Sequence, residues 1–217
     1  MKSKTVLIVN LILSAALLMA GLLLEPSFPE QMAVHWGADG NVNGYGSHFI
    51  GIWLLPLMVA GLTLLLMGLP YIDPKRKNIE QFRPFYNLFI FLFAIYMLYI
   101  HVLTLVWNLG YTFNFNTFII PSFGFFTILI GQLLRHARQN YFIGIRTPWT
   151  LQDERVWNET HRQAGIVFMV SGVITLAGLL LPELAIWLLM IPLFVAAIYS
   201  IVLSYFLYRK YHPVNQE

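Results

Sequence analysis

Most of the side chains that could bind a metal or a ligand lie in one polar segment, residues 25–50. Asp39, Asn41 and Asn43 alternate along it, which is the spacing of the first half of a calcium-binding loop. Carboxylate and amide oxygens hold Ca²⁺ in such loops, and a bidentate glutamate completes the site at the twelfth position. The twelfth position here is Ile50. Because that ligand is missing, the pattern favours a cluster of turns over a calcium site.

Zinc is the other metal for which this segment contains possible ligands. His35, His48 and Asp39 could supply three ligands, but their spacing matches no known zinc site. The chain contains no cysteine, which excludes thiolate ligands, disulfides and thiol catalysis. The sequence also lacks a phosphate-binding loop, a nucleophile elbow and a His-Glu zinc motif. We therefore expect no metal, no cofactor and no enzymatic activity.

His101 is the clear ionisable residue inside a long apolar run. Ionisable groups within a membrane are costly and commonly mark ion or proton pathways. A proton-coupled transporter usually needs several such groups, whereas this sequence offers one. His101 is thus the intramembrane candidate site, and we expect a neutral histidine that is hydrogen-bonded between helices.

A second polar segment, residues 140–161, combines aromatic and apolar residues with Arg146. Its Thr-x-x-Asp sequence at 150–153 resembles a capping box, which predicts a short helix with Trp157 and His161 on one face. Two interpretations stay open. The segment lies at the membrane interface with Arg146 on a lipid phosphate, or it forms a docking surface for a cytoplasmic partner.

Both segments interrupt a sequence that is 58% hydrophobic and only 11% charged. Soluble domains carry about 25% charged residues, so this chain has too few polar groups to cover a surface in water and must face lipid. Six apolar runs approach the ~20 residues that cross a bilayer. They are Thr5–Leu24, Gly51–Pro70, Phe85–Trp107, Thr117–Leu134, Gln163–Leu181 and Ala185–Tyr208.

The charged residues predict how these helices are oriented. All 13 Lys and Arg residues fall on one side of the predicted membrane, whereas the opposite side carries four acidic residues. Basic residues accumulate on the cytoplasmic side. Both termini and residues 135–162 are therefore predicted to be cytoplasmic, and residues 25–50 to be extracytoplasmic. This asymmetry accounts for the net charge of +3 without a nucleic-acid partner.

The predicted fold is an all-α membrane protein of six transmembrane helices with both termini inside. Alternation over Gln31–Trp36 predicts a short strand, and the Asp-Gly and Asn-Gly pairs that follow predict tight turns. A small turn-rich extracytoplasmic cap and a short cytoplasmic interfacial helix result. We predict a single integral membrane domain, 1–217, divided into a first hairpin at 1–84 with the cap at 25–50, a second hairpin at 85–134, a cytoplasmic motif loop at 135–162, and a third hairpin with the tail at 163–217.

The two polar segments together resemble a known family. The outer one contains Pro-x-x-Pro, HWGADG and NGYGS, which resemble the domain that opens SdpI-like membrane proteins. The inner one contains NYFIGIRTPWTL followed by Trp-x-x-Thr-His-Arg, which is similar to the hallmark of the SdpI/YfhL immunity family. The similarity covers most of the chain, with both segments in the family's order.

This resemblance implies a bacterial cell-membrane protein that confers resistance to a secreted peptide toxin. The best-known member also holds a transcriptional repressor at the membrane, so the implied partners are the toxin, such a repressor and the bilayer, with no nucleic acid. The outer motif supplies the predicted peptide-recognition residues His35, Trp36, Asp39, Gly40, Gly44 and Tyr45. The inner, cytoplasmic motif supplies Asn140, Gly144, Arg146, Thr147, Pro148, Trp149, Thr150, Trp157, Thr160 and His161.

Two classes of function compete on these grounds. An immunity protein and receptor would use its acidic outer surface to attract a cationic or amphipathic peptide. A small proton-coupled transporter, or a membrane enzyme acting on a lipid or solute, would instead use His101 and the proline-containing helices. Toxin killing with and without the gene separates the two.

Overall fold

Six long helices dominate the structure, a computed structural model that describes residues 1–213. Each is long and apolar enough to cross a membrane, which confirms the six predicted spans. Two short helices lie in the loops. In chain order the helices are α1 Ser3–Leu24, α2 Leu55–Ile72, α3 Arg76–Gln81, α4 Arg83–Asn108, α5 Asn116–His136, α6 Pro148–Gln152, α7 Glu154–Leu176 and α8 Ala185–Tyr211.

The second span begins with a widened turn. Phe49–Leu54 is π-helical and leads into α2, so the span as a whole runs Phe49–Ile72. Pro56 lies two residues after Leu54. Because proline has no N–H, it cannot complete regular helical hydrogen bonding to the turn before it. Single π-helical turns within helices frequently occur at functional sites.

The fifth span begins earlier than the sequence predicted, at Glu154 rather than at Gln163. The reason is a pair of helix caps. Thr147 caps α6 by exchanging hydrogen bonds with Thr150 at 3.2 and 3.0 Å, and Asp153 caps α7 by accepting two backbone N–H groups at 2.6 and 3.2 Å. The predicted capping box from Thr150 to Asp153 is therefore wrong, because each residue belongs to a different cap.

Between α1 and the π-helical turn, the chain forms a two-stranded antiparallel hairpin. Strand β1 covers Met32–Trp36, close to the predicted Gln31–Trp36, and β2 covers Val42–Gly46. Irregular register between Ala33 and Trp36 bends the pair. This hairpin is the only sheet within the part of the chain that the structure describes.

Residues 1–67 and 90–122 form one compact unit, which includes the hairpin. Asn10 of α1 is fully buried and donates to the hydroxyl of Thr63 in α2 at 3.3 Å, so a polar bond joins two apolar helices. One apolar cluster lies beneath the hairpin and a second lies among α1, α2 and α4. Their buried members are Phe28, Met32, Ile52 and Leu105 in the first and Val59, Ala94 and Leu98 in the second.

Residues 68–89 and those from 123 onward form a second compact unit. Within it, α5 and α7 meet at glycines. A Cβ atom on Gly131 would lie 2.5 Å from the carbonyl oxygen of Gly165, and one on Gly172 would lie 2.5 Å from that of Gly124. The two glycines of each helix are seven residues apart, about two turns, so both face the partner helix. Their missing side chains let the two backbones touch, as small residues do in membrane helix packing.

Candidate functional site

The hairpin is fastened to α4 and to the connection between α4 and α5 by amide side chains. Asn108 accepts the N–H of Ala33 at 2.7 Å and donates to the carbonyl of the same residue at 2.9 Å. Its side-chain amide therefore makes the pair of hydrogen bonds to Ala33 that a neighbouring strand would make. Asn114 and Asn116 donate to backbone carbonyls of the hairpin turn at 3.0 and 2.7 Å. These bonds satisfy backbone groups that would otherwise be left without a partner and hold the hairpin in one position.

The segment that resembles a calcium loop is a turn stabilised by its own side chains. The carboxylate of Asp39 accepts the amide side chain of Asn41 at 2.9 Å and its backbone N–H at 3.1 Å. Those two bonds, the side-chain one first, lower the pKa of Asp39 below its ordinary value. Gly40 has a φ of 79°, and a Cβ there would lie 2.0 Å from Oδ1 of Asn114. Only glycine fits this position.

His48 joins the start of the second span to the end of α1. Its Nε2 donates to the carbonyl of Pro29 at 3.0 Å, and its Nδ1 lies 3.1 Å from a carboxylate oxygen of Glu25. The Pro29 carbonyl first, and then Glu25, raise the pKa of His48 above its ordinary value, because two acceptors favour the imidazolium form. This clamp holds the base of the hairpin.

Trp36 is the aromatic anchor of the hairpin. Its ring stacks on Phe115 with 3.8 Å between centroids and meets Trp107 edge-on at 6.0 Å. The adjacent His35 is exposed and donates from Nδ1 to Oδ1 of Asn43 at 2.5 Å. Tyr45, on the paired strand, is 61% exposed. The hairpin thus presents aromatic and imidazole groups on a fixed backbone.

A cavity of about 370 Å³ opens beneath the hairpin, within the first compact unit. Its walls are mostly apolar and come from β1, the π-helical turn, α2, α4 and α5. His101 lines the cavity at 1% exposure, and its Nε2 has no hydrogen-bond partner among residues 1–213. The expectation that His101 is hydrogen-bonded between helices is therefore wrong for its Nε2 atom. Nε1 of Trp36 is also buried without a partner in that range.

The outer motif residues divide between the cavity and the turn. His35 and Trp36 line the cavity, whereas Asp39 and Gly40 shape the turn and Gly44 pairs with His35 in the sheet. The cavity also has polar lining residues that the sequence did not single out. These are Thr104 and Asn116, which occur 12 residues apart in different helices and carry no local pattern.

The inner motif forms a compact loop around two buried amides. Asn140 accepts two backbone N–H groups at 2.6 and 2.9 Å and donates to two carbonyls at 2.8 and 2.9 Å. Gln139 beside it donates to two carbonyls of α6 at 2.8 and 3.0 Å. Asp73, in the loop before α3, accepts the N–H of Tyr141 at 2.9 Å. An irregular backbone is stable here because these side-chain amides supply hydrogen-bond partners to backbone groups that no helix or strand pairs.

Trp157 and His161 form the floor of this loop, on one face of α7 as predicted, with their rings stacked at 4.0 Å. His161 donates from Nδ1 to the carbonyl of Trp157 at 2.8 Å and accepts the N–H of Ile145 on Nε2 at 2.9 Å. The two bonds require the neutral tautomer with the proton on Nδ1. Gly144 crosses directly above, with φ of 118°, and a Cβ there would lie 2.4 Å from that Nε2.

Most of the inner motif is buried, which decides what it can contact. Trp157 is 0% exposed, and its indole N–H donates to the carbonyl of Ala137 at 2.9 Å. Neither open interpretation fits this tryptophan, because it reaches neither a lipid headgroup nor a partner protein. The buried motif residues are Asn140, Thr147, Thr150, Trp157, Thr160 and His161; Gly144 and Trp149 are half-buried, and Arg146 and Pro148 are exposed.

Exposed cations surround this loop. Arg146 uses one guanidinium nitrogen to donate to the carbonyl of Tyr141 at 2.9 Å, and the side chain is otherwise exposed. A pocket of about 470 Å³ in the same unit is lined by Arg135, Arg138 and Arg162 and by no carboxylate. The loop therefore offers planar, multiply donating groups of the kind that hold carboxylates or phosphates.

The end of α8 is tied to the same loop. His212 donates to the carboxylate of Asp153 at 2.9 Å, and Arg155 donates to the same oxygen at 3.2 Å. Burial raises the pKa of Asp153, but the hydrogen bonds from Arg155, His212 and the backbone outweigh it and lower the pKa to about 2. The carboxylate stays ionised at neutral pH, as a helix N-cap that also accepts hydrogen bonds from Arg155 and His212.

Six membrane-length helices with two loops built by buried side chains define a multi-pass membrane protein. Comparison with known proteins supports this class and indicates a more specific similarity. The model of the SdpI/YfhL protein family matches residues 136–204, and that of a domain of unknown function (DUF1648) matches residues 12–60. The chain is 27% identical over 204 residues to the immunity protein SdpI of Bacillus subtilis (strain 168), covering 94% of this chain and 96% of that protein.

The predicted resemblance to the SdpI/YfhL family is thereby confirmed. The six membrane-length helices and this similarity together identify a multi-pass bacterial membrane protein. The family match begins at the end of α5 and contains the whole inner loop, and the second match contains the hairpin. The relative is an immunity protein, which supports an immunity role. No solved structure gives a significant match to the chain.

Proposed function

We propose that this protein confers immunity to a secreted peptide toxin, which it binds at the hairpin on the outer face of the membrane. The observation that carries the proposal is the 27% identity to an immunity protein along 94% of the chain. The hairpin supplies a rigid aromatic surface, and rigid aromatic groups give contact area at low entropic cost. The four acidic residues on that side attract a cationic peptide.

The hairpin lies outside the cell and the inner loop lies inside, since basic residues stay in the cytoplasm. Single cysteines test this orientation cleanly, because the chain has none of its own. Ser47→Cys and Gln152→Cys both replace exposed residues. An impermeant maleimide applied to intact cells is expected to label position 47 and to leave position 152 unlabelled until the cells are opened. Labelling of position 152 alone would mean that the orientation is reversed.

The cationic inner loop has a second role, holding a transcriptional repressor at the membrane. The exposed guanidinium of Arg146, together with the arginine-lined pocket of the same unit, suits a partner surface rich in carboxylates. Trp157 does not take part directly because it is fully buried. Toxin bound outside would favour one arrangement of the helices and hence of the inner loop, which is how two distant sites couple.

Substitutions in the two loops are expected to separate protection from recruitment. Trp36→Ala and Tyr45→Ala remove hairpin contacts, and we expect each to lower the toxin dose that cells survive by about tenfold, the effect of losing ~1.4 kcal/mol of binding. Arg146→Ala is expected to leave that dose unchanged and to release a fluorescently tagged repressor from the membrane. Trp187→Ala, a tryptophan of α8 that is 60% exposed and outside both motifs, is the matched control.

The paired measurement is survival under toxin and repressor localisation, at equal amounts of membrane protein. Full resistance in both hairpin variants would contradict recognition at the hairpin. Loss of both activities in Arg146→Ala would mean that the inner loop is structural only. A sensitive host that gains no protection from the wild-type gene would contradict the immunity role itself, and proton-dependent flux through the purified protein would then favour the transporter.

A further inference from the structure

The cavity beneath the hairpin joins apolar walls to two buried nitrogen atoms. Nε1 of Trp36 and Nε2 of His101 have no hydrogen-bond partner in the described range, and both residues line the cavity. Buried polar groups in proteins are nearly always paired, because an unpaired group has lost its water and gained nothing in return. Two such nitrogens, on residues that line one cavity, are available to pair with the polar groups of a ligand.

The walls fit a small apolar group. Ile50, Leu54, Ile100, Phe115 and Ile119 are among the residues that line the cavity. The volume of about 370 Å³ falls within the ~300–1,000 Å³ of ligand pockets. Part of the wall is the π-helical turn Phe49–Leu54. A widened turn of this kind is frequent at functional sites, and here it borders the cavity.

We propose that this cavity binds an apolar side chain of the toxin peptide together with the peptide group beside it. The inference rests on the proposed immunity function and names its binding site. The indole N–H of Trp36 is a donor only, so it pairs with a peptide carbonyl. Nε2 of His101 pairs with a peptide N–H or carbonyl, according to the tautomer of the ring.

A lipid acyl chain fits the same cavity less well. Its methylene groups match the apolar walls, but they neither donate nor accept, so both nitrogens would stay unpaired. A peptide carries one acceptor and one donor at every residue. The polar residues His35 and Asn116, which also line the cavity, add groups that suit a peptide and have no use for an acyl chain.

The substitution His101→Leu distinguishes a ligand-binding histidine from a structural one. Leucine is apolar and of comparable bulk, so it removes the unpaired nitrogen without opening a hole. We expect the thermal midpoint to rise by about 2–4 °C while the toxin dose that cells survive falls by about tenfold. A structural histidine would give a lower thermal midpoint.

Ser14→Ala is the matched control for this effect. The hydroxyl of Ser14 is also buried without a hydrogen-bond partner among the described residues, but it lies on α1 and does not line the cavity. Its removal is expected to raise the thermal midpoint similarly and to leave the survived dose unchanged. An equal loss of resistance in both variants would mean that the effect of His101→Leu is not specific to the cavity.

Binding is measured directly with Thr104→Cys, whose thiol would line the cavity in a chain without other cysteines. The probe is the peptide toxin purified from cultures of the bacterium that encodes the chain. We expect it to slow the reaction of this thiol with N-ethylmaleimide several-fold in detergent micelles. Ser47→Cys lies outside the cavity and should react at an unchanged rate.

The outcomes distinguish the cavity from the function on which it rests. If the peptide slows labelling but the wild-type protein protects no cells, the immunity function fails and the cavity stands. If the wild type protects, labelling is not slowed and His101→Leu keeps full resistance, the cavity proposal fails and the function stands. If added dioleoylphosphatidylcholine slows labelling and the peptide does not, the cavity is a lipid site and the proposal is overturned.

Discussion

Replacing Gly144 with alanine is expected to destabilise the protein by about 2–6 kcal/mol, the sum of backbone strain and overpacking. A φ of 118° is unfavourable for any residue with a Cβ atom. The added atom would also lie 2.4 Å from Nε2 of His161 and 3.2 Å from the ring of Trp157. Relief of that clash requires breaking the hydrogen bond that the N–H of Ile145 donates to Nε2 of His161, which leaves a buried acceptor unpaired.

Gly110→Ala is the control that separates strain from collision. Gly110 has a comparable φ of 98°, but a Cβ there meets no other atom within 4 Å. It should therefore cost only the strain, about 1–3 kcal/mol. Thermal unfolding of the two purified variants in the same detergent gives the comparison. Equal thermal midpoints would mean that the packing of Gly144 on His161 contributes nothing.

Alanine at the glycine contacts between α5 and α7 is expected to have the second large effect. In Gly131→Ala the new Cβ would lie 2.5 Å from a backbone carbonyl oxygen and 2.9 Å from the backbone nitrogen of Met169. Backbone atoms cannot swing aside as the end of a side chain does, so the helices must move apart. We expect a cost of about 1–3 kcal/mol for Gly131→Ala and a similar cost for Gly172→Ala, as for other overpacked sites.

The double variant Gly131→Ala, Gly172→Ala should be destabilised by roughly the sum of the two single effects. It should therefore yield little folded protein. Gly68→Ala is the control, because a Cβ on Gly68 in α2 meets nothing within 4 Å. Alanine there is expected to be neutral or mildly stabilising, since it lowers the entropy of the unfolded chain. The readout is the monodisperse peak in size-exclusion chromatography after extraction. A normal peak for the double variant would contradict close packing of the two helices at these glycines.

The helices themselves were predictable because lipid imposes a simple rule. A span needs about 20 apolar residues with its backbone groups paired internally, and that requirement is visible in composition alone. The error came at Glu154–Arg162, where α7 continues through a polar stretch. A run of high hydropathy marks only the part of a helix that contacts lipid. The helix itself continues as far as its caps and its packing allow.

The two motif segments were also visible in the sequence, but the roles of their residues were not. Trp157 looks like a residue for the membrane interface or for a partner, yet it is fully buried under the loop that precedes it. Its position depends on the carbonyl of Ala137 and on the ring of His161. Trp157 lies in α7, but the irregular loop before that helix covers it. The type of a residue does not reveal such burial, because a loop has no hydrophobic period that would show where it packs.

The sequence by itself determined the class of protein, the number of spans, the charge asymmetry and the two segments that carry the family resemblance. Each follows from composition or from residues close together in the chain. Only the tertiary structure decided that His101 and Trp36 share a cavity, that Gly144 lies on His161, and that glycines of α5 and α7 meet. Such sites form between residues that lie 17 to 65 positions apart in the chain. Their chemistry comes from packing, which fixes which polar atoms are buried and which of them are left unpaired.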